Sequence, residues 1–306
     1  MDLKWASLLG EFKQERSWLV FEGKQVDWQG QPGSAIGNFL CNKLFSGGSI
    51  EADVVFEDTD GFSACELVLS YNPATNAFLT AGLGGQGVNY SIRYFLDKWI
   101  PINLKGERSN LKNGVQYHVK ATLTGSKITL SVDEIDVATA QFPFSIPSSQ
   151  VGIWCMARKG TIRIGNYRVR TARPKIFMVM EFSSPYNEIY LEVIKRISSE
   201  FGIDINTSNE TFGPGIILED IVRQIIESKA VIAEITPANP NVYYEVGYAH
   251  AIKKPTILIA EKSTKLPFDV SPFRVLLYEN TIAGKSRFED GLRKHLEAIF
   301  THGTSF

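Results

Sequence analysis

Through the first half of the chain, hydrophobic and polar positions alternate in short runs. The runs are Ser49 to Phe56 (SIEADVVF), Cys65 to Tyr71, Asn76 to Ala81, Tyr90 to Phe95, Gln116 to Leu123, Lys127 to Val132, Val151 to Met156 and Thr161 to Arg170. A period of two sends successive side chains to opposite faces of a strand. Turn-forming pairs separate the runs: Gly47-Gly48, Asn72-Pro73, Gly84-Gly85 and Asn113-Gly114. Short strands at this spacing predict an antiparallel sandwich. Only a short stretch before Trp18 reads as helical in this half. Asp133, Glu134 and Asp136 could pass for a glycanase-type carboxylate cluster, but Lys127 to Val137 reads as a hairpin with Asp133-Glu134 at its turn.

The period changes after Thr171-Ala172-Arg173-Pro174. Lys175 to Met180 (KIFMVM) is an unbroken apolar strand of the kind buried on both faces. Asn187 to Phe201 has helical spacing, Ile203 to Ile205 is a short strand, and Ile216 to Glu227 is a second helix. Ala230 to Ile235 (AVIAEI) is a third strand and Pro240 to Ile252 a third helix. Thr256 to Ala260 and Arg274 to Tyr278 complete the strands, and Arg287 to Phe300 is the last helix. Alternating β and α predicts a doubly wound parallel sheet. The expected organisation is therefore two domains, an all-β sandwich over 1–173 and an α/β domain over 174–306.

Composition changes little in that picture. Hydrophobic residues make up 44% and charged residues 21%, with a net charge of −1. Neither half is charged enough to call for nucleic acid or an anionic membrane. The three cysteines, Cys41, Cys65 and Cys155, form no CxxC pair, which argues against zinc and fits reduced thiols. Lys4, Glu11, Lys13, Glu15 and Arg16 interrupt the first eighteen residues, so no signal peptide is read there. No apolar run reaches the roughly 20 residues that span a bilayer. The expected location is the cytoplasm.

Candidate chemistry concentrates in Ala233 to Ala251, AEITPANPNVYYEVGYAHA. Asn239 suits an N-cap and Pro240 the first helical position, which puts Glu245 in the second turn. Ligands of open α/β sheets bind at the carboxyl ends of the strands, where strand order reverses. In the flavodoxin-like order 2-1-3-4-5 the reversal lies between strands one and three. The loops Glu181 to Asn187 (EFSSPYN) and Thr236 to Asn241 (TPANPN) would then frame one crevice beside Glu245. That crevice is expected to hold a single carboxylate and few other polar groups. By residue type alone Glu245 also reads as an acid that stabilises a helix N-terminus.

Residues 174–260 resemble the nucleoside 2-deoxyribosyltransferase-like and Toll/interleukin-1 receptor (TIR)-like superfamily. The marks are the opening apolar strand, the Phe212-Gly213-Pro214-Gly215 loop and the block VIAEITPANPNVYYEVGYAHAIKKPTILI. The resemblance implies that Glu245 is the catalytic residue of an enzyme that splits N-glycosidic bonds. It also implies a site completed by self-association, hence a homo-oligomer, and a role as a bacterial defence effector. Glu234 departs from it, since many relatives carry aspartate there.

The chemistry is sound on first principles. Breaking a ribose–base bond builds oxocarbenium-like charge on the sugar, which a carboxylate can stabilise or attack. NAD, as substrate and not cofactor, releases neutral nicotinamide and needs no general acid. No bound cofactor and no metal are expected. Phe212, Gly213 and Gly215 could bring backbone N–H groups to a phosphate, or form an ordinary turn. Ser183, Ser184 and Tyr186 could bind ribose or phosphate, or cap a helix. Asn239 and Asn241 belong to the crevice loop. Of Tyr243 and Tyr244 one is expected in the core, leaving Tyr244 as the ligand-facing candidate. His250 reads as structural.

The first half resembles concanavalin A-like and laminin G-like jelly rolls, through GSIEADVVF, QYHVKATLTGSKITLSVD and SQVGIWCMARKGTIRIGNYRV. Such folds imply a glycan or protein ligand. Trp28, Trp99, Trp154 and Tyr94 could line a sugar site or fill the core. The expectation as a whole is an N-glycosidase acting on NAD or a related nucleotide. A nucleotide-binding sensor without catalysis and a nucleoside deoxyribosyltransferase are the rival readings.

Overall fold

The computed structural model describes residues 3–28, 30–107, 110–142, 146–207, 217–267 and 273–300. By its contacts the chain divides into two compact units. The first is Met1–Leu123, Lys127–Gln141 and Ser148–Ala172, and the second is Thr124–Ser126, Phe142–Pro147 and Arg173–Phe306. The second unit thus also takes in two short stretches from before residue 173.

Among the described residues the first unit is built from fifteen strands: β1 Trp5–Leu9, β2 Phe12–Glu15, β3 Trp18–Glu22, β4 Gln25–Trp28, β5 Gln31–Phe45, β6 Gly48–Glu57, β7 Ala64–Asn72, β8 Ala77–Leu83, β9 Tyr90–Phe95, β10 Trp99–Lys105, β11 Gln116–Thr124, β12 Lys127–Val132, β13 Ile135–Gln141, β14 Ser149–Ala157 and β15 Thr161–Thr171. One sheet runs β1-β5-β14-β7-β8-β9-β10, with β4 on β5, and the other β13-β12-β11-β6-β15-β3-β2. Neighbouring strands pair antiparallel, as in β6 with β11 and β7 with β14. The result is an antiparallel β sandwich resembling a jelly roll. Alternation sets its core: β6 buries Ile50, Ala52, Val54 and Phe56 to 3% exposure or less, and β12 buries Ile128, Leu130 and Val132.

The stretch before Trp18 is β1 and β2, not a helix. Aromatic contacts override its local spacing: Trp5 and Phe12 both stack on Phe39 of β5, with ring centroids 4.9 and 4.6 Å away. Strand β5 has no counterpart among the alternating runs, because Pro32, Gly33 and Gly37 interrupt it. Gly37 is required by crowding, since a Cβ there would lie 2.6 Å from the Phe12 ring.

All seven residues of β8 are buried, so this strand is covered on both faces. One face carries the cluster Leu40, Ala64, Val68, Phe78 and Trp154. Trp99 packs edge-on against Trp154 at 5.0 Å, so both indoles serve packing. Tyr94 is half-buried, and the Trp28 side chain lies outside the described residues.

Asp133 and Glu134 form the two-residue turn between β12 and β13, with φ of 50° and 66°. Both left-handed values are those of a type I′ turn, which favours glycine at its second position. Asp133 is fixed further, its Oδ1 accepting from the His118 N–H at 2.8 Å. Glu134→Gly should therefore stabilise the sandwich by about 0.5–1 kcal/mol, read as a higher urea midpoint at unchanged slope.

Among the described residues the second unit has five strands, β16 Lys175–Val179, β17 Asp204–Thr207, β18 Ala230–Glu234, β19 Thr256–Glu261 and β20 Val275–Tyr278. They form a parallel sheet in the order β17-β16-β18-β19-β20, which is 2-1-3-4-5. The helices are α1 Tyr186–Ile189, α2 Lys195–Glu200, α3 Ile217–Glu227, α4 Pro240–Ala251 and α5 Ile282–Phe300. A π turn, Tyr190–Ile194, joins α1 to α2 inside the stretch expected to be one regular helix. Helix α5 begins five residues before Arg287, where Gly284 and Ser286 hide its amphipathic signal. Alternate residues of β16 face opposite layers: Ile176 and Met178 meet Val193, Ile197, Phe288 and Leu292, while Phe177 and Val179 meet Ile225, Val242 and Val246. That two-sided burial explains the unbroken apolar run. Among the described residues no helix is long and apolar enough to cross a membrane.

Candidate active site

Strand order reverses between β16 and β18, so the loops after these two strands flank a crevice at the carboxyl edge of the sheet. A carboxylate ties them together. Glu181, just past β16, accepts from Asn239 Nδ2 at 3.1 Å with one oxygen and from Ser183 Oγ at 3.0 Å with the other. Asn239 is also the N-cap of α4: its side chain accepts from the Asn241 N–H at 2.9 Å, with Pro240 in the first turn. The same side chain therefore starts the helix and anchors it to the opposite loop. Asn239→Ala should cost about 1–2 kcal/mol through the lost cap and the under-satisfied Glu181, measured as thermal unfolding of the second unit against Asn239→Asp, which keeps the cap.

Glu245 stands in the second turn of α4, beside the buried stripe Val242, Val246 and Ala249. It is half-buried, and among the described residues its carboxylate has no hydrogen-bond or ion-pair partner. Burial alone pushes its pKa up to about 7. Tyr243 packs into the core with its hydroxyl 3.4 Å from the Ile235 carbonyl, whereas Tyr244 is 53% exposed. The Asn241 side chain is exposed. His250 stacks on Phe273 at 4.4 Å, and burial lowers its pKa, as befits a packing residue.

The serines do not cap α1, whose N-cap position is Pro185 and has no side-chain bond. Ser183 is spent on Glu181, and exposed Ser184 donates to Glu188 at 3.3 Å. Tyr186 opens α1 half-buried; burial first, then the charges of Glu234, Glu181 and Glu261, raise its pKa. Phe212, Gly213 and Gly215 lie outside the described residues.

The expectation of one carboxylate in a sparsely polar crevice is corrected. Besides Glu181, the edge holds Glu234 at the end of β18, only 1% exposed. Its Oε1 accepts from the Thr236 N–H at 2.7 Å, and its Oε2 makes no hydrogen bond of ordinary geometry among the described residues. Burial raises its pKa. Thr236 Oγ1 lies 3.1 Å from the Tyr278 hydroxyl and accepts from the Glu261 N–H at 2.8 Å, so one threonine links the ends of β18, β19 and β20. The sequence marks Glu234 as a departure from the family resemblance, and as the charged residue closing an otherwise apolar strand. Glu181 and Thr236 were placed only as members of the two crevice loops and Tyr278 only as the end of a strand; their hydrogen bonds have no local signal, because only the parallel sheet brings them together.

No protein-family model matches the chain, and comparison with curated proteins finds no match. Among solved structures, the carbohydrate-binding module CBM66 from Bacillus subtilis is 14% identical, with 53% of this chain and 92% of that one covered at a TM-score of 0.41. A Bacillus licheniformis beta-glucanase is 12% identical over 55% of this chain and 92% of that one, with a TM-score of 0.36. A 2-deoxyribosyltransferase from Bacillus psychrosaccharolyticus covers 38% of this chain and 90% of its own, at 12% identity and a TM-score of 0.32. Likenesses this faint say nothing of chemistry, which rests on the residues of the site itself.

Proposed function

We propose that the second unit cleaves an N-glycosidic bond in NAD or a related nucleotide, with Glu245 as the carboxylate that meets the developing sugar cation. The supporting observation is Glu245 itself: a half-buried acid in the second turn of the helix that follows β18, without a hydrogen-bond or ion-pair partner among the described residues and with its pKa raised to about 7. Such a group destabilises the fold when ionised, and raised carboxyl pKa values of this kind gather at functional sites. When ionised it offers a poorly hydrated negative charge, which stabilises an oxocarbenium centre more than a solvated one would. Nicotinamide departs as a neutral base, so the reaction needs no proton donor. Glu181, bridging the loops through Ser183 and Asn239, keeps acceptor capacity for a ribose hydroxyl. Exposed Tyr244 offers a ring to a base.

The direct test is incubation of the purified full chain with NAD, with nicotinamide release followed by chromatography. Release supports the reading. Saturable NAD binding without release points to a sensor, and base exchange on deoxynucleosides to a transferase; either result overturns it.

A further inference from the structure

A cavity of about 480 Å³ opens at the same sheet edge but on the other side of the sheet from α4. Its wall residues Val193, Tyr278 and Phe288 belong to the layer packed by α2 and α5, whereas Val242 and Val246 of α4 belong to the opposite layer. The volume falls within the range that takes small organic ligands. Its interior is apolar, from Ile189, Val193, Phe288 and the rings of Tyr186 and Tyr278. Ile282 stands at its margin 96% exposed, a large aliphatic side chain left in water.

The charges around it are one-sided. Four glutamates, Glu188, Glu192, Glu261 and Glu279, face a single lysine, Lys285. Lys285 pairs with Glu192 at 3.1 Å, and Glu279 is held by Lys262 and Arg287. Among the described residues Glu188 has only the Ser184 hydroxyl and the Glu261 carboxylate has no partner. Independently, the wall is backed by a buried, incompletely paired acid. Glu234, 1% exposed, connects through Thr236 to the Tyr278 hydroxyl, and its Oε2 makes no hydrogen bond of ordinary geometry among the described residues. Burial first, and then the neighbouring Glu234, raises the pKa of both cavity tyrosines.

We infer that this cavity is a binding site for an organic cation with an apolar body, such as an aryl or alkyl quaternary ammonium. Carboxylates without counter-charge supply the attraction, tyrosine rings and aliphatic walls take the apolar body, and the same charges repel phosphate and sulfonate groups. The cavity lies on the opposite side of the sheet from α4 and Glu245, although Glu234 and Thr236 at the shared edge border both, and it stands whether or not Glu245 is catalytic.

Isothermal titration of the full chain with benzyltrimethylammonium, benzyl alcohol and benzenesulfonate tests the inference. The cation should bind saturably, the alcohol more weakly and the sulfonate not at all. The double variant Glu188→Gln/Glu261→Gln changes only partly or fully exposed groups, and should weaken the cation by about tenfold. Circular dichroism of the variant secures its fold, and Glu245→Gln should leave cation binding unchanged. No saturable binding of the cation, equal binding of the sulfonate, or undiminished affinity in the double variant overturns the site.

Discussion

Glu245→Gln should lower nicotinamide release from NAD by about a hundredfold or more and leave the fold intact. The swap keeps shape and removes the charge that we propose meets the sugar cation. The pKa makes the expectation sharper. Burial lifts Glu245 from an ordinary 4.5 to about 7, so at neutral pH only part of the population carries the active charge. Turnover by the native protein should climb about tenfold per pH unit below 7 and level off above it. Stability should run the other way. A carboxyl whose folded pKa is raised contributes stability that is full below its unfolded value of 4.5 and is lost as pH rises through about 7. Glutamine has no such loss, so the variant should unfold at a higher temperature than the native protein at pH 8 and nearly the same temperature at pH 4. Activity retained in a folded variant would falsify the mechanism. A flat pH–rate profile with a normal drop in activity would instead assign the charge effect to another group at the edge, with Glu181 and Glu234 the first to replace.

Where alternation is clean, the residues announce their own structure: Tyr90 to Phe95 and Lys127 to Val132 are strands β9 and β12 to the residue. Where long-range contacts decide, they do not. Trp5 and Phe12 become strand residues because Phe39, far along the chain, offers a ring to both. The long strand β5 is hidden by Pro32, Gly33 and Gly37, and the purpose of Gly37, to let the Phe12 and Phe21 rings approach the backbone, is visible only once the sheets are packed. The site divides similarly. The Asn239 cap, the place of Glu245 in the second turn and the exposure of Tyr244 follow from local helix chemistry and were legible. The link from Glu181 to Asn239, and that from Thr236 to Tyr278, join the ends of different parallel strands. Strand order creates those contacts, and no local pattern encodes them.

Arg93→Met should cost the sandwich about 3–5 kcal/mol, the largest stability loss expected from one side chain here. Arg93 is 2% exposed and Glu66 is fully buried. Arg93 Nε donates to Glu66 Oε1 at 2.9 Å, and its terminal nitrogen pairs with Oε2. Thr80 Oγ1 donates to Oε2 at 2.8 Å, and Ser91 donates to Oε1. The guanidinium also lies 3.6 Å from the centroid of the Trp99 ring. Removing it strands a carboxylate among β7, β8 and β9 with hydroxyl donors only, and takes away the cation over the indole. The pair need not be worth that much as a pair. Replacing both partners, Glu66→Leu with Arg93→Met, removes the stranded charge and should recover most of the loss, although the hydroxyls of Thr80 and Ser91 then lack an acceptor. The measurement is clean because Trp5, Trp18, Trp28, Trp99 and Trp154 are all the tryptophans of the chain and all lie in the first unit. Urea unfolding followed by tryptophan fluorescence therefore reports the sandwich alone. A double variant no more stable than Arg93→Met would show that shape, and not the uncompensated charge, sets the cost; a single variant within about 1 kcal/mol of the native protein would show that water reaches Glu66 once the arginine is gone.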